Sequence, residues 1–157
     1  MEHFAGIDGL QSLPRRIEVT RRPDSLATAT PAEDTLAYVL PDAATNVSPD
    51  LRVALLSDDV AGGVTPNVAG WLVRWRVLHD GDTLGVTDTS LVKLLEGTKH
   101  QVLDTTGTDG ASSRKLRVLA NVLPAPADSF IVVAEVRRHG VLVRGSPRRF
   151  VVHVRSQ

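Results

Sequence analysis

Apolar and polar residues alternate with a period of two through most of the chain. In "GWLVRWRV", residues 70–77, Trp71, Val73, Trp75 and Val77 fall on one face and Leu72, Arg74 and Arg76 on the other. "LRVAL" (51–55) groups Leu51, Val53 and Leu55 in the same way, and "SRKLRVLA" (113–120) groups Leu116 and Val118. "SFIVVAEV" (129–136) presents Phe130, Val132, Ala134 and Val136 on one side, and "RRFVVHV" (148–154) presents Phe150, Val152 and Val154. "RRIEVTR" (15–21) and "TLAYVL" (35–40) complete a set of seven strand candidates.

Turn chemistry separates these runs: Pro23-Asp24, Pro41-Asp42, Gly62-Gly63, Asp80-Gly81-Asp82, Asp109-Gly110, Pro124 to Pro126 and Gly145-Ser146-Pro147. Helical signal is confined to "TDTSLVKLLEGTK" (87–99), where Asp88 or Ser90 is a candidate cap, Leu91, Leu94 and Leu95 share a face, and Gly97 is a stop. The same stretch also reads as a strand-to-strand crossover with apolar residues tucked beneath it. Many short strands without helical alternation predict two packed sheets. The expected fold is all-β: an immunoglobulin-like antiparallel β-sandwich of about seven strands with little helix. Residues 1–13 lack periodicity and read as a flexible lead-in, residues 14–157 as a single sandwich, and "RPDSLATATPAED" (22–34) as an irregular connection.

Composition narrows the function classes. A 157-residue chain buries roughly 70% of its unfolded surface and needs no disulfide or metal to fold. It has no cysteine, which excludes a thiol nucleophile and a Cys-ligated zinc site. Lys+Arg and Asp+Glu both count 18, so the whole chain lacks the basic footprint of a general nucleic-acid binder. Lys93, Lys99 and Lys115 are the only lysines; arginine carries the rest of the positive charge, a bias that a GC-rich genome also produces. No stretch approaches the roughly 20 apolar residues of a membrane-spanning helix. "MEHFAGIDGLQSLPRR" has an early acid and no continuous apolar run, unlike a signal peptide.

Some of these stretches resemble known domains. "LRVALLSDD" followed by "PNVAGWLVRWRV", then "TTGTDGASSRKLRV" and "FIVVAEV", resembles in order the bacterial immunoglobulin-like domains of invasins and intimins, over roughly residues 50–137. "VRRHGVLVRGSPRRFVVHV" resembles the closing hairpin of filamin-type repeats. The insert "LGVTDTSLVKLLEGTKHQVLDTT" is longer than the corresponding stretch of those bacterial domains. The resemblance implies an extracellular or cell-surface module, used as a rigid spacer or as an adhesion and interaction unit, with no catalytic residue and no cofactor. The expected partners are neighbouring domains of a parent protein and another protein or an anionic glycan, with no nucleic acid and no membrane insertion.

Candidate chemistry is sparse. His3, His79, His100, His139 and His153 are scattered, whereas zinc needs at least three converging ligands. "HDGDT" (79–83) offers Asp80 and Asp82 as weak calcium candidates, which Asp58 and Asp59, or Asp104 and Asp109, would have to complete, because calcium takes roughly six to eight oxygens. Asp-Gly pairs are equally an ordinary way to turn a chain. Ser112, Ser113 and Ser146 lack a nucleophile elbow, and no phosphate-binding glycine loop is present, so no enzyme is expected.

Arg137, Arg138, Arg144, Arg148 and Arg149 lie within 13 residues. They have two readings. Pro147 gives no N–H to a ladder, so the stretch reads as the charged closing edge of a sandwich. The cluster also reads as a polyanion site, because arginine pairs bidentately with phosphate or carboxylate.

Overall fold

A computed structural model describes residues 21–41, 43–59, 65–86, 91–96, 101–119 and 127–156. Twelve strands are present among these residues. One sheet has the order β1 (Ser25–Thr28), β3 (Leu51–Leu56), β8 (Ala111–Val118), β6 (Val92–Leu95). The second has the order β2 (Glu33–Tyr38), β12 (Arg148–Ser156), β9 (Ala127–Glu135), β4 (Leu72–His79), β5 (Asp82–Leu84), with β7 (Leu103–Thr105) also on β4. A two-stranded ribbon, β10 (Arg137–Arg138) and β11 (Val141–Leu142), projects between β9 and β12.

The period-two alternation determines what each strand buries. Leu51, Val53 and Leu55 of β3 and Leu116 and Val118 of β8 face Val73, Trp75 and Val77 of β4, Phe130, Val132 and Ala134 of β9, and Phe150, Val152 and Val154 of β12. Trp75 and Phe150 stack at 6.3 Å. They sit on either side of β9, whose Ala134 is in register with Trp75 and is small enough to leave the indole room. Trp71 lies before β4 and is only partly buried at the rim of this core.

Of the seven expected strands, six are β2, β3, β4, β8, β9 and β12; "RRIEVTR" falls outside the described residues save Arg21, as do the lead-in and the Gly62-Gly63 and Pro124 to Pro126 turns. The sandwich departs from the all-antiparallel expectation where β12 pairs in parallel with β2, from Val151↔Glu33 to Ser156↔Tyr38, and at the single parallel bridge Ser25↔Arg144. The β2 pairing makes β12 an interior strand and leaves β2 at the sheet's margin, so the arginine-rich C-terminal strand is not the closing edge. Pro147 immediately precedes β12, outside its ladder, and the Ser146–Pro147 peptide is cis.

Two further expectations are corrected. The stretch 22–34 is not irregular: Ser25–Thr28 pairs with β3 through four register positions, and Leu26 is buried. Its short alternation was masked by small polar neighbours, and β3 supplied the partner. The described part of 87–99 is not helical, because Val92–Leu95 adds to β8 with Val92 and Leu94 facing inward. Its remaining residues lie outside the described ones.

A polar network crosses the core between the sheets. Arg114 of β8 is fully buried and donates from Nη1 to Asp104 Oδ2 of β7 at 2.8 Å. Ser112 Oγ donates to the same carboxylate oxygen at 2.7 Å, and accepts from the Trp75 indole N–H at 3.0 Å. Three further guanidinium hydrogens go to the carbonyls of Gln101, Leu103 and Ser113 at 2.7–3.0 Å. The Arg114 head also lies 5.8 Å from the centre of the Trp75 ring.

Truncating Trp75 to alanine is expected to cost about 3–5 kcal/mol in a urea titration, as large aromatic deletions in cores do; a loss below about 1 kcal/mol would be a surface result and would reject its central position. Asp104→Ala strands a buried guanidinium and is expected to cost about 3–5 kcal/mol. The double variant Asp104→Leu/Arg114→Met is expected to be more stable than that single variant; the reverse order would show that the guanidinium left by Asp104→Ala is not stranded.

Candidate functional site

The five C-terminal arginines do not form one cluster. Arg138 reaches Asp24 Oδ1 at 3.4 Å, and Arg144 makes a forked contact with Asp58 at 2.9 and 3.3 Å. Arg148 Nε donates to the Leu26 carbonyl at 2.9 Å, close over Gly145. A Cβ at Gly145 would lie 2.6 Å from both the Leu26 oxygen and Arg148 Nη2, and its φ of +77° is a conformation that favours glycine. These three arginines therefore hold the ribbon against the start of β1 and the end of β3. Ser146 closes the same corner by accepting from Val136 N at 2.9 Å.

Asp24 is the anchor of that corner. Its carboxyl is held below the ordinary value, chiefly by the Asp58 backbone N–H at 2.9 Å, and further by the hydrogen bond and charge of Arg22; partial burial opposes them.

Arg137 and Arg149 lie elsewhere, on the outer face of the six-stranded sheet. Register places Arg76, Val133 and Arg149 in one row across β4, β9 and β12, and Arg74 beside Glu135 in the next. Strand spacing puts the Arg76 and Arg149 backbones about 10 Å apart, and Arg74 about 7 Å along the strand from Arg76. Val133 points outward by alternation yet is fully buried, with exposed Arg76 and Arg149 as its in-register neighbours on either side. Glu135 accepts from Arg137 Nε at 2.7 Å and lies 3.9 Å from Arg76 Nη1. One carboxylate thus meets two guanidinium groups, those of Arg76 and Arg137, with Arg74 opposite it in register and Arg149 in the neighbouring row. A shallow groove of about 270 Å³ runs beside it, lined by Arg74, Arg76 and Glu135 with Val102 and Leu103 of the neighbouring edge.

Arg74 and Arg76 were legible as outward residues of an alternating strand, but not as neighbours of Arg149. That proximity depends on β9 lying between β4 and β12, which no local pattern encodes.

The calcium candidates do not converge. Asp80 and Gly81 form the two-residue turn between β4 and β5, both with positive φ, and the Asp80 side chain is 89% exposed. Asp58, Asp104 and Asp109 pair with Arg144, Arg114 and Arg52 respectively. Among the described residues, no three His, Asp or Glu side chains are grouped to hold a cation. His79 is in register with Asp82, but its Nε2 is 2.8 Å from Asp128 and its ring stacks on Phe130. His3 and His100 lie outside the described residues. Ser112 and Ser146 are engaged in the hydrogen bonds described above.

The chain matches no family model and no curated protein sequence. Among solved structures it is similar to the periplasmic chaperone SfaE, with a TM-score of 0.51, 9% identity and 85% of this chain covered. It spans 57% of that chaperone's length. It is also similar to an ASH/PapD-like domain of human CEP192 (TM-score 0.42, 10% identity, 95% of this chain and 96% of that one). A third similar structure is WR4, a C. elegans MSP family member (TM-score 0.35, 9% identity, 85% and 99%). The first likeness establishes the fold: this chain is an immunoglobulin-like β-sandwich.

A carboxyl depressed in the folded state contributes stability that is present above its unfolded value and lost as pH falls through the folded one. Acidification from about pH 6 to about pH 2.5 is therefore expected to lower the melting temperature less in Asp24→Asn than in the parent chain. Equal slopes would show that the bonds to Asp24 are not formed in solution.

Proposed function

We propose that this chain is a non-enzymatic interaction or spacer module of a larger bacterial surface or secreted protein, of the invasin and intimin kind, with a filamin-like C-terminal segment. The observation that carries the reading is where the ionisable groups go. The buried ones, Arg114 and Asp104, are consumed in joining the two sheets. Exposed Arg74, Arg76 and Arg149 lie on a broad sheet face beside a shallow groove. A recognition module works in this way, with a rigid core presenting a surface. Neighbouring domains of the parent protein and other surface proteins are its expected partners, without a cofactor.

Polyanion binding by the C-terminal arginines is the second reading. Its support is now uneven, since Arg138, Arg144 and Arg148 are spent on this chain's own groups while Arg149 stands on the open face. Changing Arg144 and Arg148 to serine is expected to leave retention on sulfated glycans unchanged.

One experiment tests the main reading. The purified chain is assayed against chromogenic ester, glycoside and phosphate substrates, and in parallel against an array of surface proteins and acidic glycans at low and physiological salt. Saturable binding without turnover is the expected result; turnover above the protein-free rate, removed by Asp104→Asn or Ser112→Ala, would overturn it.

A further inference from the structure

We propose that the outer face of the six-stranded sheet is a docking surface for an acidic protein segment that also carries apolar side chains. The inference rests on the interaction-module reading and names the surface and the chemistry of its partner.

The first argument is charge segregation. The chain as a whole is neutral, yet the outer face carries Arg74, Arg76, Arg149 and Arg155, with Arg137 beside them, against two carboxylates, Glu135 among them and Glu33 on the marginal strand β2. The nearby acids Asp24, Asp58 and Asp59 gather at the corner by the ribbon, where Arg22, Arg138 and Arg144 meet Asp24 and Asp58. The sheet face is left with an unbalanced positive field that an acidic partner would feel before contact. Glu135 does not cancel this field. It fixes Arg137 by a 2.7 Å bond, so less side-chain freedom is lost on binding.

The second argument is the alternation of rows. Next to the Arg76–Val133–Arg149 row lies Leu78–Ile131–Val151, also in register and all half-buried. Across the sheet, basic and apolar rows therefore follow one another about 7 Å apart. The groove repeats the pairing, with Val102 and Leu103 against Arg74 and Arg76. Carboxylates over the arginines and aliphatic groups over the apolar row would satisfy both at once. A polypeptide segment of mixed acidic and aliphatic residues has this chemistry. A sulfated glycan would meet the arginines and leave the apolar row exposed. A nucleic acid would want aromatic platforms, and the outward residues of β4, β9 and β12 include no phenylalanine, tyrosine or tryptophan.

The probe is a fluorescent peptide alternating aspartate with leucine, compared by anisotropy with its asparagine counterpart and with a heparin-derived oligosaccharide. The full chain is tested beside Arg74→Ser/Arg76→Ser/Arg149→Ser, beside the single reversal Arg149→Glu in case the triple variant is poorly folded, and beside Arg144→Ser/Arg148→Ser as a control. The acidic peptide is expected to bind in a salt-sensitive way, with affinity falling about tenfold or more in the triple variant and measurably in Arg149→Glu. The control variant keeps its affinity, and the asparagine peptide does not bind. No binding of the acidic peptide, or equal binding by all variants, overturns the proposal. So does oligosaccharide that binds through these same arginines more tightly than the peptide, which would assign the face to an anionic glycan. Each of these failures leaves the non-enzymatic spacer reading standing, whereas turnover in the substrate panel would remove that reading without touching this result.

Discussion

The interaction on which the sandwich depends is the buried pair of Arg114 and Asp104. The two residues come from different sheets, so their bond fixes the distance and the relative shift of the layers in a way that apolar contacts, being non-directional, do not. The desolvation cost of such a pair is large and is offset only when the remaining donors and lone pairs are also satisfied. Here they are met by three backbone carbonyls, the Ser112 hydroxyl and the face of Trp75. The pair therefore selects one arrangement of the layers more than it adds to stability. A sandwich built from valines and leucines alone would tolerate several shifts of one sheet on the other.

That constraint reaches the outer surface through the strands that carry it. Trp75 is tied to Ser112 on its inward side, so Arg74 and Arg76, its neighbours in β4, are held outward at a set height. Phe150 stacks on Trp75 and likewise holds Arg149 outward on β12. The alternation that fills the core thus also spaces the arginines. The parallel pairing of β2 shields the far side of β12, which makes a C-terminal strand the interior support of a face instead of its margin.

Much of this was legible in the residues. The inward sets of β3, β4, β9 and β12 follow from period-two alternation, and their turns from Asp-Gly and Gly-Ser-Pro chemistry. The short strands β1 and β6 were not legible, because Leu26, or Val92 and Leu94, are too few apolar positions to show a period; a neighbouring strand's free edge made them strands. Arg114 was in plain view, since the parity that turns Leu116 and Val118 inward turns Ser112 and Arg114 inward too. Charge hid it: a lone arginine in a strand reads as a surface residue until its partner is known, and Asp104 comes from another strand. The arginine hairpin failed as a unit for the opposite reason. Proximity in sequence was read as proximity in space, and the ribbon at Arg137–Leu142 divides the five side chains between a corner and a sheet face.

The division has a physical logic. Arginines at the corner meet aspartates because Asp24 and Asp58 lie in loops beside the ribbon, where carboxylates also cap and turn the chain, and the forked geometry of the guanidinium makes such pairs directional. On a sheet face the positions opposite one another are set by register alone, and like charges placed there repel. A neutral chain that keeps three arginines in adjacent rows with one carboxylate accepts that repulsion in the free state. The repulsion is relieved when an anion sits between the guanidinium heads, so the same register that disfavours the bare face favours its occupied form. An arrangement fixed by core packing and mildly unfavourable when empty is the electrostatic condition of a binding surface, and here the buried Arg114–Asp104 pair holds it in place.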